Sequence, residues 1–158
     1  MPCVKCGPTV ARPCIFLDTS ALFAAVFSAT GGARALLKLG ELNAVTLYVG
    51  SRVLAEADEV FRRKAPDLLP RLAALLAQAN VQVGPPADEA SLATAAAVVG
   101  YAPDAQILAE ALAATIGFFA THNEAHFLNN PRLGDLPCSV GSPGDAPAWV
   151  RSQIKTVS

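Results

Sequence analysis

The chain has 158 residues, of which 53% are hydrophobic and 16% charged, and its net charge is −1. This length suits one domain with a sizeable core, and the near-zero charge excludes an overall basic field, so nucleic-acid binding would need local patches. The apolar stretch near the N-terminus is interrupted by Asp18 and is too short to span a bilayer. Because the first residues also lack the pattern of a signal peptide, we expect a cytoplasmic protein without a membrane span.

Short apolar runs alternate with helix-forming segments after an irregular, cysteine-containing leader over residues 1–13. This alternation over residues 14–158 predicts a single α/β domain, a three-layer α/β/α sandwich around a mostly parallel sheet of about four to five strands. Ser51 is expected to cap a helix, Gly40 to end one, and Thr19 or Ser20 to cap the first. The predicted strands are 14–18, 45–49, 81–83, 117–120 and 139–140; the predicted helices are 19–28, 33–39, 51–64, 71–79, 87–99, 104–114 and 145–154; residues 121–130 are expected to form a loop or a single turn.

The four cysteines give weak evidence of a metal site. Cys3 and Cys6 have half of a zinc-ribbon spacing, but no second C-x-x-C pair completes it. Cys14 and Cys138 border predicted strands and are typical of core thiols. A mixed site of all four cysteines is the alternative to a reduced N-terminal tail.

Asp18 marks the point where the apolar run Ile15-Phe16-Leu17 stops. In open α/β sheets, ligands bind beyond the carboxyl ends of the strands, which is where Asp18 is expected. The alternative interpretation is that Asp18 only starts a turn.

Asp104 lies at the centre of the apolar stripe of its predicted helix, together with Ile107, Leu108, Ala111 and Leu112. A favourable helix dipole explains an acid at a helix start, but not an acid on the buried face, where an unpaired carboxylate is costly. A cation or a hydrogen-bond partner would explain it.

Glu56 and Asp58 lie on the two shoulders of the apolar stripe of their helix. Helical geometry alone does not choose between them as site residues.

These segments together resemble the PIN-domain nucleases, a class that includes the VapC-type toxins of bacterial toxin–antitoxin pairs. The resemblance covers about residues 14–150 in order and spacing, and the leader lies outside it. The matching segments are Phe16-Leu17-Asp18-Thr19-Ser20-Ala21-Leu22, Ser51-Arg52-Val53-Leu54-Ala55-Glu56, Pro103-Asp104-Ala105-Gln106-Ile107-Leu108-Ala109-Glu110-Ala111, Phe118-Phe119-Ala120-Thr121-His122-Asn123 and Ser142-Pro143.

The resemblance implies one or two Mg²⁺ or Mn²⁺ ions held by acids at the carboxyl edge of the sheet. It assigns Asp18, Asp104 and Glu56, the last in preference to Asp58, and it gives Ser20 the role of holding a metal-bound water. Such an acid cluster needs an ion, because the carboxylates otherwise repel one another.

The fourth position departs from the family's commonest pattern, which is Thr, any residue, then Asp. Here it is Thr121-His122-Asn123. Asn123 offers a carbonyl oxygen without a charge, so a second metal is expected to bind weakly or not at all. His122, Glu124 and His126 are candidates to compensate.

The resemblance implies metal-assisted hydrolysis of phosphodiester bonds in single-stranded or looped RNA. Asp18 and Asp104 would be the principal ligands, with Glu56 as a ligand or a water-orienting base. It also implies a homodimer and a small antitoxin partner, which agrees with the apolar excess of the composition. The candidate phosphate contacts are Arg34, Lys38, Arg52, Arg62 and Arg63.

Two alternatives remain. The first is a PIN-like domain with impaired catalysis that binds RNA or protein, which Asn123 favours and the retained acids disfavour. The second is a phosphatase of the haloacid-dehalogenase type, which expects an acid two residues after the first, where Ser20 stands.

Overall fold

The computed structural model describes residues 12–157, with side chains up to residue 154. Within this range five parallel strands form one sheet in the order β3-β2-β1-β4-β5. The strands are β1 (Cys14–Leu17), β2 (Thr46–Val49), β3 (Gln82–Val83), β4 (Phe118–Ala120) and β5 (Ser139–Gly141); the α-helices are α1 (Thr19–Phe27), α2 (Gly32–Glu41), α3 (Ser51–Lys64), α4 (Leu69–Gln78), α5 (Glu89–Val98), α6 (Ala102–Ala113) and α7 (Ala146–Val157); shorter helical turns are Pro66–Leu68, Glu124–Leu128 and Pro131–Asp135.

The central strands β1 and β4 are continuously apolar because both of their faces are covered. Phe16 and Phe119 have no exposed surface and stack with ring centroids 5.7 Å apart. The register pairs Leu17 with Ala120, so the two strands end level with each other. Any residue that follows either strand therefore emerges at the same place.

Helices cover both faces of the sheet. The chain moves from β1 to β2 to β3 in one direction and returns from β3 to β4 in the other. Right-handed crossovers therefore place α1 to α4 on one face and α5 and α6 on the opposite face. Accordingly α2 contacts α1, α4 and α7, and α5 packs against α6. The predicted α/β/α sandwich with a parallel sheet is confirmed.

The roles predicted for Gly40 and Ser51 at helix ends are wrong. Gly40 does not end α2 but lies in its last turn, buried against Leu47 and Ala79. Ser51 does not cap α3, since it is the first helical residue and its hydroxyl donates to Oε2 of Glu110 (3.1 Å). The Glu110 carboxylate, which also accepts from the Arg52 amide (3.1 Å), performs the capping role from a distant helix.

The two described cysteines, Cys14 and Cys138, do not form a disulfide. Cys138 is buried, and burial raises the pKa of its thiol to about 11. Cys14 is half-buried, and its thiol donates to the Arg12 carbonyl (3.6 Å). The predicted sites involving Cys3 and Cys6 lie outside the described residues.

Within residues 12–157 no single helix is long and apolar enough to cross a membrane, and only α1 and α2 taken together, bent by 93°, meet the same test.

We expect Gly40→Ala to destabilise the protein. A Cβ at this position would lie 2.6 Å from the Ala79 carbonyl oxygen and 2.7 Å from a methyl carbon of Leu47, so α2 would have to move away from the sheet. Overpacking of this kind costs about 1–3 kcal/mol. Gly134→Ala is the matched control, because its Cβ would meet nothing within 4 Å. Urea denaturation of both variants measures the difference, and equal midpoints would contradict this packing.

Candidate functional site

The candidate site lies where β1 and β4 end. The Asp18 amide donates to the Ala120 carbonyl (3.0 Å), and the Thr121 amide donates to the Gly141 carbonyl (3.0 Å). After β1 the chain turns towards β2, and after β4 it turns towards β5 on the other side. This is the topological switch point of the sheet, where open α/β proteins form their binding crevice.

The Asp18 carboxylate is buried, with 5% of the residue exposed, and three donors hold it. Its Oδ1 accepts from the Thr19 amide (2.8 Å), and its Oδ2 accepts from the hydroxyls of Thr121 (2.7 Å) and Ser20 (3.1 Å). Asp18 therefore caps α1 itself, which corrects the prediction that Thr19 or Ser20 would do so.

The same two hydroxyls hold the loop after β4. Ser20 Oγ accepts from the His122 amide (2.9 Å), and Thr121 Oγ1 accepts from the Asn123 amide (3.0 Å). Each hydroxyl thus donates to Asp18 and accepts from the backbone. The loop that carries Asn123 is thereby fixed relative to the buried carboxylate.

Burial is the main influence on the pKa of Asp18 and raises it above the usual value of 3.8. The hydrogen bonds from Thr121, Thr19 and Ser20 act in the opposite direction, and the nearby charge of Asp104 raises the pKa further. Asn123 links the surroundings of the two acids, since its amide donates to Thr121 Oγ1 and its side chain donates to Asp104.

Asp104 lies near the start of α6 with 15% of its side chain exposed, which agrees with its predicted position on the buried face. Its Oδ2 contacts Nδ1 of His126 and accepts from Nδ2 of Asn123 (3.1 Å). Among the described residues no hydrogen bond reaches its Oδ1. Asn123 and His126 therefore supply the hydrogen-bond partners that the sequence analysis expected for Asp104, at its Oδ2 atom.

Asn123 is oriented by its own turn. Its Oδ1 accepts from the His126 amide (3.0 Å) and caps the Glu124–Leu128 turn. The side-chain NH₂ group therefore points to Asp104, so Asn123 presents a donor to this carboxylate where the sequence predicted a carbonyl ligand.

Of the three candidates to compensate for Asn123, the structure brings His126 to the site. Its ring contacts Asp104 on one side and stacks on Tyr101 with centroids 5.0 Å apart. The side chains of His122 and Glu124 are exposed and form no hydrogen bond to either acid. Sequence reasoning did not single out Tyr101, although it lies only two residues before Pro103.

Glu56 and Asp58 differ in their partners. Asp58 accepts from Nε of Arg62 (2.8 Å), whereas Glu56 is exposed and has no hydrogen bond or ion pair within the described residues. No group of three or more His, Cys, Asp or Glu side chains among residues 12–154 is arranged to hold a metal ion. The structure thus leaves Glu56 on the surface of α3, without a hydrogen bond to the residues that hold Asp18 and Asp104.

Three of the five candidate phosphate contacts are engaged elsewhere. Arg34 donates from Nε (3.0 Å) and a terminal nitrogen (2.7 Å) to the Ala25 carbonyl, at the end of α1. Arg62 pairs with Asp58, and Arg63 pairs with Glu59 (3.1 Å). The exposed cations Lys38 and Arg52 have no such side-chain partner in the described part of the chain.

The fold is similar to that of solved proteins, whereas no protein-family model and no curated protein matches the sequence. One chain in the crystal structure of VapBC2 from Rickettsia felis, solved with a DNA fragment from their promoter, superposes with a TM-score of 0.60 and 16% sequence identity. The match covers 82% of this chain and 98% of that one. Together with the sheet order and the helices on both faces, it establishes a PIN-like α/β/α fold.

We expect Asp18→Asn to become relatively more stabilising as the pH rises in metal-free buffer. Because the folded-state pKa of Asp18 is raised, the wild-type protein loses stability as the pH rises from about 3.8 through that pKa. The variant has no such loss, so its melting temperature relative to wild type should increase between acid and neutral pH.

Asp88→Asn is the control of opposite sign. The Asp88 carboxylate accepts from the Ser91 amide (2.8 Å), which lowers its pKa. This variant should therefore lose stability relative to wild type as the pH rises towards about 3.8, and the difference should then stay constant up to neutral pH. If the melting temperatures of both variants changed with pH in the same direction, the raised pKa of the buried Asp18 carboxylate would be contradicted.

Proposed function

We propose that the protein is a divalent-metal-dependent ribonuclease that hydrolyses phosphodiester bonds in single-stranded or structured RNA. The observation that carries this proposal is that Thr121 and Asn123 connect two acids, Asp18 and Asp104, by hydrogen bonds at the switch point of a PIN-like sheet. Two facing carboxylates are costly unless a cation or a proton relieves them. A cation would reduce this cost and would also bind a phosphate of the substrate.

The donors fit one Mg²⁺ or Mn²⁺ ion better than two. Mg²⁺ in nucleotide-handling sites is commonly held by one or two carboxylates, with water and substrate phosphate completing its shell. Asp18 and Asp104 supply this pair, and no third acid joins them in the described residues. Asn123 presents its NH₂ group to Asp104 and adds no negative charge.

The chain's own groups would prepare the site in three ways. Thr19, Ser20 and Thr121 hold the Asp18 carboxylate in one orientation. Asn123 and His126 hold Asp104 through Oδ2, and Glu56 would orient a water or accept its proton. When bound, the ion would neutralise charge on the phosphodiester and activate water.

A toxin role with a small antitoxin partner, and a homodimer, belong to the same proposal. The similar chain comes from a VapBC2 complex, and large apolar side chains of this chain are exposed, including Phe27 (63%) and Leu42 (75%). In this proposal the partner would cover these side chains.

The second candidate function is a PIN-like RNA- or protein-binding module with impaired catalysis. The observation that favours it is the hydrogen bond from Asn123 to Asp104, because a carboxylate that has protein donors needs a cation less.

Cleavage of a mixed single-stranded RNA pool should require Mg²⁺ or Mn²⁺ and stop in EDTA. Asp104→Asn should reduce the rate by more than about 100-fold, since loss of outer partners of a metal alone typically costs roughly 10–100-fold. Asp135→Asn, which changes an exposed acid away from the site, is the matched control. Mn²⁺ should also raise the melting temperature of wild type and not of Asp104→Asn. If the wild-type protein cleaves no RNA and Mn²⁺ does not change its melting temperature, the binding module is the better explanation.

Glu56→Gln should reduce metal-dependent cleavage, whereas Asp58→Asn should not. Both changes remove one charge from the same helix. Asp58 forms an ion pair with Arg62, whereas Glu56 has no ion-pair partner among the described residues. The initial rates of the two variants at equal protein concentration measure the difference. Equal activity of the two would exclude a role for Glu56.

A further inference from the structure

Tyr101 is an exposed aromatic side chain beside the candidate site. It directly precedes α6, and 53% of the residue is exposed. Its ring stacks on His126 with the centroids 5.0 Å apart and the planes inclined by 20°. One face of the ring is therefore supported by the protein, while much of the ring remains accessible to solvent.

The support beneath Tyr101 is tied to the acid pair. His126 Nδ1 contacts Oδ2 of Asp104, so the tyrosine ring is separated from this carboxylate by one imidazole. Nδ2 of Asn130 donates to the carbonyls of His126 (3.1 Å) and Val98 (2.7 Å). This amide joins the turn that carries His126 to the end of α5, just before Tyr101. The stack is therefore held from two sides.

A cavity of about 290 Å³ lies between α5 and α6, near the backbone on either side of Tyr101. Its lining includes Val99, Gly100, Ala102 and Gln106, and the Tyr101 ring does not line it. A Cβ at Gly100 would meet nothing within 4 Å. The cavity lining is mostly apolar, with the exposed side chain of Gln106 as a polar group.

We propose that Tyr101 is a stacking platform for one unpaired base of a single-stranded RNA, beside the phosphate that a cation at Asp18 and Asp104 would hold. Only an unpaired base exposes a face to such a ring. Stacking suits this chain in particular, because its net charge of −1 gives no general attraction for the RNA backbone. Tyr101 is a positioning residue in this proposal, which rests on the proposed ribonuclease function.

The test is binding of a short single-stranded RNA in EDTA, where no cleavage takes place. Fluorescence anisotropy gives the Kd, and 2-aminopurine in the RNA reports stacking by quenching. Tyr101→Ala and Tyr101→Leu should weaken binding about 5- to 150-fold and abolish the quenching, as expected for loss of one stacked base. Tyr101→Phe should retain both. The leucine variant keeps an apolar side chain in case alanine disturbs the loop.

Two controls separate stacking from other effects. Phe27→Ala removes another exposed aromatic residue, one that stacks on Phe61 with centroids 5.7 Å apart, and it should leave the Kd unchanged. An RNA with abasic sites should bind wild type and Tyr101→Ala equally. A loss that is the same for the abasic RNA, or a Tyr101→Phe variant as weak as Tyr101→Ala, would overturn the platform.

The two proposals fail differently. Metal-dependent cleavage together with binding that is insensitive to Tyr101 would overturn the platform and leave the nuclease. Stacking that depends on Tyr101, in a wild type that cuts no RNA with Mg²⁺ or Mn²⁺, would overturn the nuclease and support the binding module.

Discussion

The burial of the Asp18 carboxylate is the constraint on which the site depends. Among the charged side chains of residues 12–154, Asp18 alone is buried, and an unpaired carboxylate there would be very costly. The in-register pairing of β1 with β4 brings Thr121 to within 2.7 Å of it, and Ser20 adds a second hydroxyl. The chain thus positions a charge at the edge of the sheet before any ligand binds. The remaining cost, which raises the pKa of Asp18, is what a cation would relieve.

Asp104, the second acid, is stabilised in a different way from Asp18. Asp104 is held through Oδ2 by Asn123 and His126, and both partners come from one turn that Asn123 itself caps. Because Asn123 uses its oxygen for the cap, it has only its NH₂ group to offer Asp104. An aspartate here would place a third carboxylate opposite the other two, and the repulsion would make a bound cation still more necessary. With asparagine at this position, the repulsion between carboxylates is smaller, and the fold depends less on a bound cation.

Sequence patterns predicted the parallel sheet, because apolar runs ending in turn residues mark buried strands regardless of what they contact. They also placed Asp104 on a buried face, since helical periodicity needs only one helix. They failed where a partner comes from far along the chain. The Glu110 carboxylate that accepts from Arg52 N–H lies 58 residues away, so Ser51 was wrongly predicted as the cap. Gly40 is typical of a helix end by local sequence, but it lies inside α2 because only a glycine lets this helix approach Leu47 and the Ala79 carbonyl so closely.

The same limit explains why His126 was one of three equal candidates in the sequence and is distinct in the structure. Its imidazole reaches Asp104 because the Glu124–Leu128 turn folds back over α6, and the turn depends on the Asn123 cap and on the Asn130 side chain. Asp104 Oδ2 is then committed to the protein, while no hydrogen bond from the described residues reaches Oδ1. A cation held through Oδ1, as the proposed function requires, would leave these contacts in place. The hydrogen bonds to Asp104 Oδ2 are therefore compatible with the proposed metal ion, and the asparagine does not by itself decide against the proposed catalysis.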